Sequence, residues 1–388
     1  MVIQSIIDQD LYKFCTSYAY MKLYPDAEGT FTFNDRDNTE YTEEFVTELR
    51  LALCNMGGLY LTDKEKKWCI ANIRFIPQFY WEWLSSFYYD FSKINVELDE
   101  NKHLHIEVTD KLYKVTLYEV PILALVSQLR NKMLGNHVNM EEVINKLIPK
   151  ISLSNINGLN FSEFGTRRRF SAAVQDEVIK YIKEHSTYCT GTSNVYFAMK
   201  YGMKAMGTHP HEWFMFHGAI FGYKQANYLA LEDWVNVYDG NLGIALSDTY
   251  TTDVFLKNFS RKHAKLFDGV RHDSGDPFLF TNKVIKRYKE LGIDPTTKTI
   301  IFSNGLNFEE YHKLNDYCKG KIRCAAGIGT NLTNDCGFKP SNIVMKLTSC
   351  QITSSKRLKN CVKLSDDDGK LTGNRDDVRN CLYELYNE

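Results

Sequence analysis

KAMGTHPHEWFMFH, residues 204–217, sets the pattern for the chain. Ala205 and Met206 close a short apolar run, Gly207 and Thr208 make a tight turn, and His211-Glu212 open a long apolar segment. The order predicted is strand, turn, helix, with polar groups gathered at the helix mouth. A helix start offers free N–H groups and the positive end of the dipole, a natural seat for phosphate. A histidine at such a turn suits a base, a metal ligand or a nucleophile.

The same design repeats downstream. LGIALSD, LFDGVRHD, KTIIFSNG, KIRCAAGIGT and NIVMKL read as strands, with helices expected at roughly 211–235, 249–262, 278–291 and 307–318. Such alternation predicts parallel βα units, and nearly every strand ends in a loop of glycines and acids, as on the C-terminal face of a barrel. Upstream the pattern is mixed: GTFTFN (29–34) alternates like a strand, residues 40–92 read as helices, and 103–109 with 113–120 read as a hairpin ended by Pro121. The expected fold is α/β. It has a mixed N-terminal α/β domain (1–135), an irregular (β/α) TIM-like barrel (136–350) with its site at the C-terminal strand ends, and an extension (351–388) packing back on the first domain.

Composition excludes several classes. Lys+Arg total 47 against Asp+Glu 48, a net charge of −1, so nothing draws the chain to nucleic acid or an anionic membrane. The ten cysteines contain no C-x-x-C pair and no dense secreted-type framework; they read as reduced thiols of a cytoplasmic protein. The start, MVIQSIIDQDLYKF, lacks a basic segment followed by an apolar one, and no run approaches the ~20 apolar residues that span a bilayer.

Six loops carry candidate chemistry. FGTRRRFS (164–171) sets Phe164 beside Arg167, an aromatic face with a guanidinium fork, suited to a flat anionic aromatic ligand. A run of three arginines is also what a solvated face looks like. GTSN (191–194) opens a helix with Ser193 as cap and polar donor. FDGVRHDSGDP (267–277) places Arg271, Asp273, Ser274 and Gly275 on one loop, carboxylate for Mg²⁺ and arginine for phosphate. SNGLN (303–307), with Asn304 and Gly305, and AAGIGTN (325–331), with Gly327, Gly329 and Thr330, read as phosphate cradles. LSDTYTT (246–252) supplies Asp248 as a partner for His211. The H-x-H of His209 and His211 also admits a zinc hydrolase, while His217 reads as a structural helix residue.

Taken in order, DQDLYKF (8–14), YEVPILAL (118–125), EFGTRRRFS (163–171), GTSNVYFA (191–198), GTHPHEW (207–213), FDGVRHDSGDP, FSNGLN, GIGTNL (327–332) and PSNIVMKL (340–347) resemble the nicotinate phosphoribosyltransferase family. The resemblance implies transfer of phosphoribosyl from PRPP to the ring nitrogen of nicotinate, yielding nicotinate mononucleotide and pyrophosphate in NAD salvage. It also implies Mg²⁺, and ATP hydrolysis coupled through a phosphohistidine. By the same resemblance His211 is the phosphorylated histidine, Phe164 stacks on the pyridine, and Arg167 stands beside it. Tyr12 reaches the site from the neighbouring subunit of a homodimer. Arg271 and Asp273 form the PRPP and Mg²⁺ loop, and Gly305, Gly327 and Gly329 the phosphate loops. Nicotinamide-using relatives of the same fold carry aspartate where Ser193 stands here, which implies the acid as substrate. His209-Pro210 replace the usual small residues, and Asn304 stands where many relatives have aspartate. The alternatives are a nicotinamide-using enzyme of this fold and, more distantly, a barrel metallohydrolase built on the H-x-H.

Overall fold

Alternating buried and exposed residues make Ile94–Leu98 and Leu104–Lys111 an antiparallel pair, Ile94 opposite Val108 and Leu98 opposite Leu104. They belong to a computed structural model that describes residues 2–352 and 357–387. The chain forms two units that interleave in sequence. One takes the residues up to Tyr18, Thr30–Gly207 and Ile328–Lys346; the other takes Ala19–Gly29, Thr208–Gly327 and the chain from Leu347 on.

In the first unit, 103–109 is a strand as expected but 113–120 is not its partner. Leu112–Val115 and Glu119–Met133 are helices joined by the 3₁₀ turn Thr116–Tyr118. Every residue from Val115 to Ser127 is buried, so the apolar run is a helix enclosed on all sides, which period-2 reading mistakes for a strand. Pro121 lies in the helix's first turn, where its missing N–H costs no hydrogen bond. Glu28–Asp35 and the start of Ile343–Gln351 lie in the same sheet, so NIVMKL joins the hairpin's sheet and not the parallel series. KAMGT is not a strand either; Ala205 makes a single bridge to Thr192. Phe161–Glu163 and Cys189–Thr192 form a parallel pair.

The three arginines of 167–169 are not a solvated face. Arg169 is fully buried, its Nη1 and Nη2 donating to Asp8 at 2.9 and 3.0 Å, with further bonds to Gln175 Oε1 and the Val2 carbonyl.

The second unit carries four parallel strands in chain order, Ile244–Leu246, Gly269–His272, Thr299–Phe302 and Arg323–Ile328. Gly269 stands opposite both Ile244 and Thr299, and Ile300 opposite Cys324. The helix expected at 211–235 is two, His211–Phe221 and Tyr223–Tyr238, because Gly222 takes φ +91° between them. The one at 249–262 also divides, into Thr252–Asn258 and Arg261–Leu266, the second capped by Ser260. Pro277–Glu290 and Phe308–Cys318 stand as predicted. After Leu347, Lys359–Asn360 pairs antiparallel with the end of Ile343–Gln351, and Asn374 caps the helix Arg375–Tyr386. The chain is thus mixed α/β, with parallel and antiparallel sheet. Among the described residues no helix is long and apolar enough to cross a membrane.

Removing Arg169 would leave the Asp8 carboxylate buried without its cation. Arg169→Met is expected to cost about 3–5 kcal/mol, read as a lower denaturant midpoint at unchanged slope. Lys132→Ala, which breaks the exposed 2.7 Å pair with Glu48, should cost under about 1 kcal/mol. Equal shifts for the two variants would refute the structural role given to Arg169.

Candidate active site

The strand Gly269–His272 delivers Arg271 and Asp273 to one cluster in the second unit. Arg271 donates from Nε to Ser303 Oγ (2.8 Å), from Nη1 to Thr208 Oγ1 (2.9 Å) and from Nη2 to Asp273 Oδ1 (3.0 Å). Asp273 Oδ2 lies 2.9 Å from His211 Nε2, and Thr249 Oγ1 lies 3.0 Å from His211 Nδ1. An ionised carboxylate only accepts, so Nε2 carries the ring proton and Nδ1 accepts from the Thr249 hydroxyl. Burial, then the nearby Lys363 ammonium, push the imidazole pKa down to about 4 against the pull of the two aspartates. The ring is neutral at physiological pH. Burial alone would raise the Asp273 pKa, but Arg271, the His211 hydrogen bond and Lys363 together outweigh it and hold that carboxyl well below its ordinary range.

Asp248, expected to pair with His211, stands behind Asp273. Its Oδ1 is 3.9 Å from His211 Nε2, while Oδ2 accepts from Ser274 Oγ at 2.5 Å and has Lys363 Nζ at 3.9 Å. Oδ1 is buried and has no hydrogen-bond partner among the described residues. Among the described residues, ligand atoms of His211, Asp248 and Asp273 lie within 4.8 Å of one another. Two carboxylates, one with an orphaned oxygen, fit a hard cation such as Mg²⁺.

The H-x-H does not supply a second metal-binding histidine. His209 is outside that cluster, packed against Phe214, Trp234 and Phe267 with both ring nitrogens buried and without a hydrogen-bond partner among the described residues. Burial drives its pKa down to about 3. His217 is structural as expected, held between the Trp213 carbonyl and Asp233.

The loops after these strands meet the tail. Gly275, at φ +78°, donates its N–H to Asp367 Oδ1, and Asn304 donates to Asp367 Oδ2. Lys370 donates to Asn304 Oδ1 (2.6 Å) and to the Asp273 carbonyl (2.5 Å). Asp366 accepts from the Thr252 N–H and hydroxyl, and its own N–H donates to Ser274 Oγ. Gly305 sits at φ +60° with open space around its Cα. Gly327 lies inside the strand Arg323–Ile328. Sequence reasoning missed Thr208, Thr249 and Ser303, each next to a residue it chose, and the tail residues Lys363, Asp366, Asp367 and Lys370. Five charges in KLSDDDGK were the available signal.

A second cluster lies in the first unit. Gly165 is obligatory: a Cβ there would sit 2.1 Å from Thr333 Oγ1. The Phe164 N–H donates to the Ile328 carbonyl, and Gly329, just before the short helix Thr330–Thr333, passes close to the Phe164 carbonyl. Arg167 stands 3.8 Å from Asp10 Oδ2 and 3.7 Å from Glu119 Oε1, with its guanidinium 6.0 Å from the Tyr12 ring centroid. Ser193 donates from Oγ to Asp10 Oδ1 at 2.7 Å, and its carbonyl accepts from Leu11. Tyr12, Arg167 and Ser193 therefore meet within one chain, around Asp10. The helix Val195–Tyr201 is capped by Asn194, not by Ser193. Burial raises the Asp10 carboxyl above its ordinary value despite Arg167, and raises Glu163 to about 7 despite bonds from Thr192, Gly165 and Gln175.

Comparison with known proteins agrees with this layout. Residues 159–387 match the nicotinate phosphoribosyltransferase (NAPRTase) family, and residues 7–127 match the N-terminal domain of that family. The chain is 40% identical to nicotinate phosphoribosyltransferase of Desulforapulum autotrophicum over 99% of both chains. It is 41% identical to that of Chromohalobacter salexigens over 97% of this chain and 96% of the other. The crystal structure of nicotinate phosphoribosyltransferase from Porphyromonas gingivalis superposes with a TM-score of 0.97 at 47% identity, covering 99% of this chain and 100% of that one. With two matched domains and full-length relatives, the chain belongs to the nicotinate phosphoribosyltransferase family.

Proposed function

We propose that this chain transfers phosphoribosyl from PRPP to the ring nitrogen of nicotinate, releasing pyrophosphate and yielding nicotinate mononucleotide in NAD salvage. The observation that carries the reading is the Arg271–Asp273–His211 network past the end of a parallel strand, in a chain whose relatives bear that enzyme's name. Displacement at the anomeric carbon puts positive charge on the sugar and negative charge on the leaving pyrophosphate, so fixed cations and orientation supply most of the catalysis. Arg271 and Lys370 supply that charge here, with the loops at Ser274, Gly275, Asn304, Gly305, Gly327, Gly329 and Thr330 as phosphate cradles. Mg²⁺, when bound, neutralises phosphate oxygens; Asp248 and Asp273 are the residues that would hold it.

Phe164, Tyr12, Arg167 and Ser193 hold the pyridine and its carboxylate. The pyridine nitrogen already carries a lone pair, so no base is required of the protein. That leaves His211 for ATP. Its neutral ring attacks the γ-phosphorus, the N–P bond forming as the bond to the β,γ-bridging oxygen breaks and ADP departs; water later cleaves the phosphoramidate. The lone pair is available at neutral pH because the ring protonates only near pH 4. The parallel units are proposed to form an irregular (β/α) barrel, the working form a homodimer with shared sites, and the location the cytoplasm, to which ten free thiols are suited.

With PRPP, Mg²⁺ and nicotinate, the purified protein is expected to form nicotinate mononucleotide and pyrophosphate; no product with or without ATP would refute the reading. His211→Ala should give no acid-labile phosphoprotein and should lose the ATP effect, a coupling of typically ~5–150-fold, while slow transfer continues. Phosphorylation of the wild type should persist through neutral pH and fall only as pH approaches about 4. For the dimer, mixing inactive Tyr12→Ala and inactive Arg271→Ala subunits should restore activity. Subunits that exchange and stay inactive would show that each chain completes its own site.

A further inference from the structure

Asp10 touches two of the residues assigned to the pyridine and precedes a third by two positions. Its Oδ1 accepts the Ser193 hydroxyl at 2.7 Å, and its Oδ2 lies 3.8 Å from Arg167. The segment is clamped in place, since Leu11 N–H donates to the Ser193 carbonyl and Asp10 bridges to Asn194. Asp10 is 2% exposed and Ser193 is 4% exposed.

Proton bookkeeping on this pair is decisive. Serine has one hydroxyl proton. While Asp10 is ionised, that proton is committed to Asp10, and Ser193 offers any ligand only lone pairs. Lone pairs suit the N–H of an amide and oppose a carboxylate. If Asp10 holds a proton, the bond reverses: Asp10 donates to Ser193 Oγ, and the serine proton is released for an anionic oxygen.

Like-charge repulsion points the same way. Around Asp10 stand Arg167, Glu119, Lys13, which pairs with Glu119, and Glu163; Lys346 also acts on Glu119, and Asp8 is already paired with Arg169. Burial already disfavours charge on Asp10, and a nicotinate carboxylate brought beside it adds a like charge that disfavours it further. An amide adds no charge and asks for no proton. Glu163 is engaged elsewhere, by Thr192, Gly165 and Gln175.

We propose that Asp10 is the residue that selects the acid over the amide, taking up a proton as nicotinate binds and thereby turning Ser193 from acceptor to donor. This rests on the function proposed above and names how that site tells its substrate from the amide. Asp10→Asn is the direct test, because an asparagine amide donates permanently to Ser193 and mimics the protonated state.

Calorimetry of nicotinate binding in buffers of different ionisation enthalpy should show proton uptake in the wild type at neutral pH, and none in Asp10→Asn. The wild-type kcat/KM for nicotinate should fall on the alkaline side, the Asp10→Asn profile should stay flat there, and the variant should not gain activity on nicotinamide. Ser193→Ala, which removes the relay without burying a new group, should reduce the preference for nicotinate over nicotinamide about ten- to hundredfold. Proton uptake that survives in Asp10→Asn and vanishes in Glu163→Gln would overturn the assignment in favour of Glu163. Unchanged preference in Ser193→Ala would overturn the relay. A wild type that forms no nicotinate mononucleotide would instead sink the proposed function, so the two failures are separable.

Discussion

Asp273 gives one carboxylate to two partners, a guanidinium on Oδ1 and an imidazole on Oδ2, and the second unit's chemistry follows from that sharing. A buried carboxylate is tolerated only if it is paired and bonded. At an effective dielectric of ~20, a unit charge about 4 Å away contributes roughly 4 kcal/mol; Arg271, the His211 hydrogen bond and Lys363 together outweigh burial and keep Asp273 ionised. Ser303 and Thr208 fix the rest of the guanidinium, so the carboxylate is aimed as well as charged. His211 is then oriented by an acceptor on one nitrogen and a hydroxyl on the other. A burial-lowered pKa leaves it a neutral, aligned imidazole.

The first unit applies the same rule with a different margin. Arg169 is enclosed and holds Asp8 at 2.9–3.0 Å, whereas Arg167 has a side chain 36% exposed and stands 3.7–3.8 Å from two acids. Three consecutive arginines have separate fates because Thr166–Arg168 is a 3₁₀ turn, where successive side chains fan out by about 120°. A tight, buried pair fixes structure. A loose pair with two acids can admit a third carboxylate, and that is the property a nicotinate site requires.

What could be read from the sequence was what is local. A strand ending in glycine and acid announces a strand-end loop, and the loops following Gly269–His272, Thr299–Phe302 and Arg323–Ile328 were legible for that reason. Helix boundaries failed where one residue decides them, as at Gly222 with φ +91°. The stretch 113–120 failed because a helix buried on every side has no polar face, and alternation is then accidental. Ser193 looked like a cap because serine caps often; Asn194 takes that place, and Ser193 is left to bond Asp10. Asp10 gave no local sign of its place, because nothing in DQD foretells a serine 183 residues away.

The tail was illegible for a deeper reason. Its residues Lys363, Asp366, Asp367 and Lys370 follow no helical or strand period, since what places them is bonding to loops about 60–115 residues earlier in the chain. Charges arranged by their partners leave no periodic trace. Lys363 shows what such a placement does. An ammonium near Asp248 makes a positive potential that disfavours a proton on His211, which is part of why the ring stays neutral. The same potential favours negative charge at the same spot, so what keeps the imidazole free of a proton would also stabilise the phosphoryl group proposed for it. Under that proposal one buried lysine serves both states of His211, and it needs no movement to do either.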